Sequence, residues 1–179
     1  MALEHAILAV LSNCTYSGYD LAKKFISVGF FWMATHQHIY RELVKLEAKG
    51  WVSSEIIPQE SRPNKKLYCL TELGQKELAK WIAQPSEPTP IREDLLVKIF
   101  AGYLVPCWVI IQELERRRQV HLENLSVYRD LEQRDFQNPQ KLSLEAKFRY
   151  LTLRRGINYE ADWVAWCDEA IQMLSNVSS

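Results

Sequence analysis

The chain has no glycine-rich phosphate loop, no CxxC pair and no apolar run near the roughly 20 residues needed to span a bilayer. GxSxG and HExxH are missing too, which removes the common nucleophile-elbow and zinc-hydrolase readings. It also lacks an excess of either charge: 22 Lys and Arg face 22 Asp and Glu, and neither side of Pro90 is basic. Bulk charge therefore marks no nucleic-acid binder, and such a reading has to rest on where the charges sit. The four cysteines, Cys14, Cys69, Cys107 and Cys167, lie far apart with no histidine at ligand spacing. They read as reduced, mostly buried thiols of a cytoplasmic protein, with no metal and no cofactor. The N-terminus has no basic region ahead of a long apolar stretch, so no leader peptide is expected.

What is there is a packed core, 47% hydrophobic over 179 residues, in an order of elements that can be read by period and punctuation. LEHAILAVLS (3–12) is a first helix through Leu3, Ile7, Val10 and Leu11. After a short connection, Ser17 caps a second helix with Asp20 three residues on, a weak form of the capping box. That helix is expected to bury Tyr19, Leu21, Ala22 and Phe25 and to end near Gly29. Phe30–Met33 is an apolar connector. Thr35 caps a third helix, 36–49, with Ile39, Leu43, Leu46 and Ala48 inward, and Gly50 ends it. VSSEII and KKLYCL read as an antiparallel pair whose tip holds Arg62, Pro63, Asn64, Lys65 and Lys66, and Thr71 opens a fourth helix carrying Leu73, Leu78, Trp81 and Ile82. This order is the layout of a winged helix.

QPSEPTP (84–90) reads as a linker, with Thr89 and Pro90 suited to a helix start. The reading is thus an N-terminal winged-helix domain at 1–84, a linker at 85–90 and a helical domain at 91–179. The fold class is mainly α with a small β-hairpin wing. The second domain holds an apolar helix over 91–104, a long helix from Pro106 to about Gln137, and a last helix from about Ser143 to Leu174. The last helix bears two apolar stripes. One runs through Tyr150, Leu153, Ile157, Ala161, Val164, Cys167, Ile171 and Leu174; the other through Phe148, Leu151, Tyr159, Trp163, Trp166, Ala170 and Met173. The preceding helix covers one stripe with Ile111, Leu114, Leu122, Leu125 and Tyr128. A second copy of the chain is expected on the other, giving a homodimer with Tyr150, Leu153, Ile157, Tyr159, Trp163, Trp166 and Met173 as candidate dimerisation residues.

The major groove of DNA admits one α-helix, and a helix-turn-helix presents the early residues of its second helix to base edges. Those residues here are His36, Gln37 and His38. Gln37 suits a bidentate contact to adenine, and Tyr40, Arg41 and Lys45 suit phosphate oxygens. Arg62, Asn64, Lys65 and Lys66 at the hairpin could reach an adjacent backbone or the minor groove. Each item alone has a plainer reading: Lys45 and Lys49 could be a solvated helix face paired with Glu42, and Tyr40 a core aromatic. His36 and His38, two apart, do not share a helix face and make no metal pair. The ordered combination is what is specific.

YRELVKLEAKGWV followed by SRPNKKLYCLTELG resembles the PadR family of transcriptional regulators. The resemblance is carried by Tyr40, Leu43, Leu46, Glu47, Gly50, Arg62, Pro63, Lys66, Tyr68, Leu70, Thr71 and Gly74, and by the opening LEHAILAVLS and SGYDLAKKF. Trp51 stands where the family more usually has an aliphatic residue. From IREDLLVKIF onward the chain is similar to the longer C-terminal type of virulence gene activator A. The resemblance implies a homodimeric winged-helix regulator, usually a repressor, on a roughly palindromic double-stranded operator, with Tyr40, Arg62 and Lys66 as DNA contacts. It also implies that some relatives release DNA on binding phenolic acids or aromatic drugs. Phe100, Tyr103 and Trp108 are candidates to line a pocket for such an effector, the plainer reading being a filled dimer core. The competing function is a winged-helix module that docks another protein. The long carboxylate- and arginine-rich helix reads as a solvated face, not as catalytic machinery, and no membrane partner is expected.

Overall fold

A computed structural model of the chain describes residues 2–27, 34–58 and 64–176. The fold is mainly helical with one small antiparallel sheet, and the chain divides into two compact units, Met1–Pro88 and Thr89–Ser179.

In the first unit, α1 (Ala2–Leu11), α2 (Gly18–Ser27), α3 (His36–Ala48) and α4 (Glu72–Ile82) enclose one core. Ile7, Leu8, Leu21, Ile39, Leu43 and Leu46 are fully buried there. Each such aliphatic side chain contributes on the order of 1.5–3 kcal/mol by leaving water. Local chemistry sets the helix starts. Asp20 N–H donates to Ser17 Oγ at 3.1 Å while Ser17 Oγ–H donates to Asp20 Oδ2 at 2.7 Å. Thr35 Oγ1 accepts from His38 N–H at 3.3 Å, and Thr71 Oγ1 from Gly74 N–H at 3.1 Å. Two inward assignments fail: Tyr19 is 54% exposed and Ala48 is exposed, because both sit at the edge of their helix's apolar stripe. On α4 only Leu78 of the expected apolar set is buried; Leu73, Trp81 and Ile82 face outward. The connector Phe30–Met33 lies outside the described residues.

The sheet has three strands where two are expected. β2 (Val52–Ile57) and β3 (Lys65–Leu70) form the hairpin, with Val52 opposite Leu70 and Ile57 opposite Lys65. The connection before α2 supplies a two-residue strand, β1 (Tyr16–Ser17), which pairs with the other side of β3 and gives the order β1-β3-β2. The exit from α3 is a Schellman turn. Gly50 has φ 69°, its N–H donates to Glu47 O at 3.0 Å, and Trp51 N–H donates to Leu46 O at 3.0 Å. Thr71 closes the same corner: its hydroxyl donates to Gly50 O at 2.7 Å and its N–H to Trp51 O at 3.1 Å.

In the second unit, α6 (Cys107–Asp135) and α7 (Leu144–Ser175) pack antiparallel. Leu114, Leu125 and Tyr128 of α6 and Leu153, Ile157 and Cys167 of α7 are buried; Ile111 and Leu122, expected in the seam, are half-buried, and Ile110 is buried in place of Ile111. The seam also holds a polar pair. His121 Nδ1 lies 2.5 Å from Glu160 Oε2, both side chains are buried, and the His121 ring stacks on Trp163 at 4.9 Å. The expected helix over 91–104 is shorter. α5 spans Asp94–Phe100 and a single 3₁₀ turn follows at Gly102–Leu104. Glu93 caps α5, not Thr89 and Pro90: its carboxylate accepts Leu95 N–H at 3.3 Å and Arg117 Nη2 at 2.5 Å. Val105 is extended before Pro106, as a residue preceding proline must be, and this separates α5 from α6. Of the four thiols only Cys167 is buried; Cys14 is exposed and the other two are half-buried. Among the described residues no helix is long and apolar enough to cross a membrane.

Gly74 sits where a Cβ would lie 2.1 Å from the Trp51 carbonyl oxygen and 2.8 Å from Leu70 Cδ1. The first of these is backbone held by the Thr71 bond and cannot step aside. Gly74→Ala is expected to destabilise the protein by about 2–4 kcal/mol, read as a lowered thermal midpoint. An unchanged midpoint would show that the corner is soft.

Candidate nucleic-acid interface

The face built by α3 and the wing is assembled from short-range signals. Thr35 starts α3 so that His36, Gln37 and His38 stand on its exposed first turn. The buried residues Ile39, Leu43 and Leu46 then fix the rotation of the helix, and Tyr40, Arg41 and Lys45 fall outside. Tyr19 of α2 lies beside this turn with its ring 6.2 Å from that of His36, and Lys23 Nζ stands 4.7 Å over the Tyr19 ring. Tyr19 is therefore a surface residue of this face, which a helical period alone assigns to the core.

Tyr40 is 44% exposed and lies across the start of α2. A Cβ at Gly18 would come within 2.4 Å of the Tyr40 ring and 2.9 Å of its hydroxyl oxygen. Glycine at that position is what lets the ring lie there. A cleft of about 410 Å³ opens beside it, lined by Ser17, Gly18, Tyr19, Asp20, Tyr40, Asn64, Lys65, Lys66 and Tyr68. The structure thus gathers Tyr40, Asn64, Lys65 and Lys66 around one cleft. His36, Gln37, His38, Arg41 and Lys45 lie on α3 outside that lining, and Arg62 and Pro63 lie outside the described residues.

Each described lysine of the candidate set has a carboxylate partner. Lys45 Nζ is 2.9 Å from Glu42 Oε2, Lys65 Nζ is 2.9 Å from Asp20 Oδ2, and Lys66 Nζ is 2.8 Å from Glu47 Oε2. The first pair, three residues apart on one helix, was legible in the sequence; the other two span separate elements. Glu47 also accepts from the Ser54 hydroxyl, so one carboxylate of α3 holds both strands of the wing. The Lys66 ammonium and the Ser54 hydroxyl together hold the Glu47 carboxyl below the usual carboxylate range, and Lys66 is raised in turn. The Lys65 ammonium, then the Ser17 hydroxyl, lower Asp20 in the same way. Both carboxylates are ionised near neutral pH.

The candidate dimerisation residues divide by surroundings. Leu153 and Ile157 are buried in the α6–α7 seam, and Tyr150 Oη–H donates to Glu132 at 3.0 Å. Trp163 stacks on His121, lies beneath the Arg117 guanidinium at 5.6 Å and meets the Trp166 ring edge-on at 5.3 Å. Tyr159 and Met173 are 40% and 62% exposed, and their stripe neighbours Phe148 and Leu151 are exposed too. Phe100, Tyr103 and Trp108 are 88%, 84% and 65% exposed, so within one chain they enclose nothing.

Glu47 gives a pH prediction. Its folded pKa lies below its unfolded value, so its contribution is complete above the ordinary glutamate pKa of about 4.3 and is lost as pH falls through the lower folded value. The parent is expected to lose stability on acidification more steeply than Glu47→Gln, in denaturant melts taken from neutral pH downward. Equal slopes would show the Glu47 bonds to be inert.

The family described as transcriptional regulator PadR-like matches residues 7–80, and that described as virulence activator alpha C-term matches residues 91–175. A probable transcriptional regulator of Mycobacterium tuberculosis is 38% identical over 97% of this chain and 98% of its own length. The solved virulence activator AphA of Vibrio cholerae superposes with a TM-score of 0.77 at 30% identity, over 98% of this chain and 99% of that one. The Bacillus subtilis protein PadR, solved in complex with operator DNA, gives 0.83 at 25% identity, over 97% and 99%. The same protein solved with p-coumaric acid gives 0.77 at 25% identity, over 98% and 99%.

Proposed function

The chain belongs to the PadR-like family of transcriptional regulators, and from that premise we propose that it is a homodimeric, cytoplasmic repressor that binds a palindromic operator. The observation that carries the reading is the first turn of α3. It offers His36, Gln37 and His38 to solvent, capped and rigidly rotated by a buried face, beside a cleft bearing Tyr40, Asn64, Lys65 and Lys66. In this reading the α3 turn enters the major groove and reads base edges, Gln37 foremost. Tyr40, Arg41, Lys45 and the wing residues Arg62, Asn64, Lys65 and Lys66 hold phosphates and set the register. A structural neighbour solved on operator DNA supports it.

Two copies are required because a single α3 reads one half-site, and half-sites lie about one DNA turn apart. The exposed part of the α7 stripe, Phe148, Leu151, Tyr159 and Met173, is the surface a second copy would cover. The exposed Phe100, Tyr103 and Trp108 would be enclosed in the same assembly and there meet a small aromatic effector. The solved complex of a neighbour with p-coumaric acid supports that class of ligand. Release would follow from a changed distance between the two α3 helices, which breaks both half-site contacts at once.

The test is a titration of the purified protein on the DNA upstream of its own coding sequence, beside a scrambled duplex, at two salt concentrations. Preference for the native sequence with affinity falling as salt rises is expected. Salt-independent or absent binding would favour a protein-docking module instead. Tyr40→Ala is expected to weaken binding to all duplexes and flatten the salt slope, whereas Gln37→Ala should change which base is preferred. For assembly, Leu151→Glu combined with Met173→Glu places two charges on exposed side chains, at little cost to the single chain, and should yield monomers in sedimentation. Trp163 is unsuited to that test because it packs on His121 within its own chain.

A further inference from the structure

The two wing lysines that border the cleft are both occupied in the free protein. Lys65 is held by Asp20 of α2 and Lys66 by Glu47 of α3, at 2.9 and 2.8 Å. Neither pair is buried: the side chains are 42% and 42% exposed in the first and 40% and 35% in the second. A lysine ammonium has three N–H donors but one positive charge, so holding a carboxylate and a DNA phosphate together brings two anions side by side and weakens its grip on each. The carboxylates also line or flank the cleft, Asp20 directly and Glu47 through Lys66, and so repel an entering phosphodiester themselves.

We propose that Asp20 and Glu47 are built-in competitors of the DNA backbone for Lys65 and Lys66, so that each lysine reaches a phosphate at the expense of its ion pair. The proposal rests on the DNA-binding reading above and adds that affinity is deliberately held down. An ion pair is weakened for each one gained, and net counterion release falls below the number of lysine contacts because a carboxylate left without its lysine takes up a cation. Competition of this kind acts on operator and non-operator DNA alike, because phosphates carry no sequence. It therefore sets how tightly and how long the protein holds DNA, and leaves the choice of sequence to α3. A near-neutral protein that must leave DNA when signalled is the expected setting for it.

The variants are Asp20→Asn and Glu47→Gln. Both keep an oxygen to accept the Ser17 or Ser54 hydroxyl, so the helix cap and the bond from α3 to β2 persist while the charge and its ion pair to the lysine are lost. Affinity is measured on a scrambled duplex and on the upstream DNA across a salt series, with melting of each variant recorded alongside. Each variant is expected to bind both duplexes about two- to fivefold more tightly, with a salt slope steeper by up to about one. Asp20→Asn in a Lys65→Ala background should give no gain, because the contested lysine is gone. Glu113→Gln on α6, which changes net charge equally but frees only Arg116 in the other unit, should also give none.

Unchanged or weaker binding by both variants, measured well below the melting transition of each, would overturn the proposal and make these carboxylates struts. A gain matched by Glu113→Gln would overturn it in favour of net charge. A parent that binds no duplex in a salt-dependent way would instead overturn the DNA-binding reading itself.

Discussion

The N-terminal unit turns on one crowded corner, where the chain leaving α3 passes under the start of α4. The Schellman turn at Gly50 sends the backbone sharply away from the helix, and Trp51 is then bound on both sides, by its N–H to Leu46 and by its carbonyl to Thr71. Thr71 meanwhile caps α4 and donates to Gly50. Gly74 is the only kind of residue that lets the Trp51 carbonyl come so close. Because β2 begins at Val52, directly after this corner, the angle between α3 and the wing is decided here by backbone hydrogen bonds. The Glu47 bonds to Ser54 and Lys66 then fasten the far side of the same junction.

The second unit is held differently. Its two long helices meet along a seam that is apolar at most positions but closes over the His121–Glu160 pair, with Trp163 flat against the imidazole. Arg117 joins three helices at once: its guanidinium reaches the Glu93 cap of α5 and lies over Trp163 of α7. Sliding the helices by one turn would separate these two buried polar side chains and leave each without its partner in the seam, which is costly. The polar pair thus favours the one alignment of α6 and α7 in which the two side chains meet.

Much of this was legible in the sequence where the cause is local. Thr35, Gly50 and Thr71 announce helix ends because capping needs only the neighbouring few residues, and the hairpin strands match their expected bounds to within a residue. β1 was not legible, because two residues have no period and exist as a strand only through pairing with β3. Tyr19 and Ala48 mark the limit of periodicity, which gives a stripe but not its width. The apolar run after Pro90 suggested a longer helix than exists, because composition outweighed the break at Gly102 and the proline at 106. His121 and Glu160 were missed although both fall in core phase, four residues before Leu125 and three after Ile157; a polar residue in such a phase is itself the signal. Of the candidate interface, the exposed turn of α3 followed from the phase of its buried residues. The carboxylates that hold Lys65 and Lys66 come from other elements and could not be read along the chain.

The contact between Gly18 and Tyr40 reaches beyond packing. The two positions lie on different helices, yet the ring of one occupies the space a side chain on the other would fill. A side chain at position 18 would push the Tyr40 ring outward from the start of α2, and the half-exposed ring has room to swing. The cost of such a change falls on the shape of the cleft and leaves the core behind it untouched, so the glycine holds a surface in place without holding the fold.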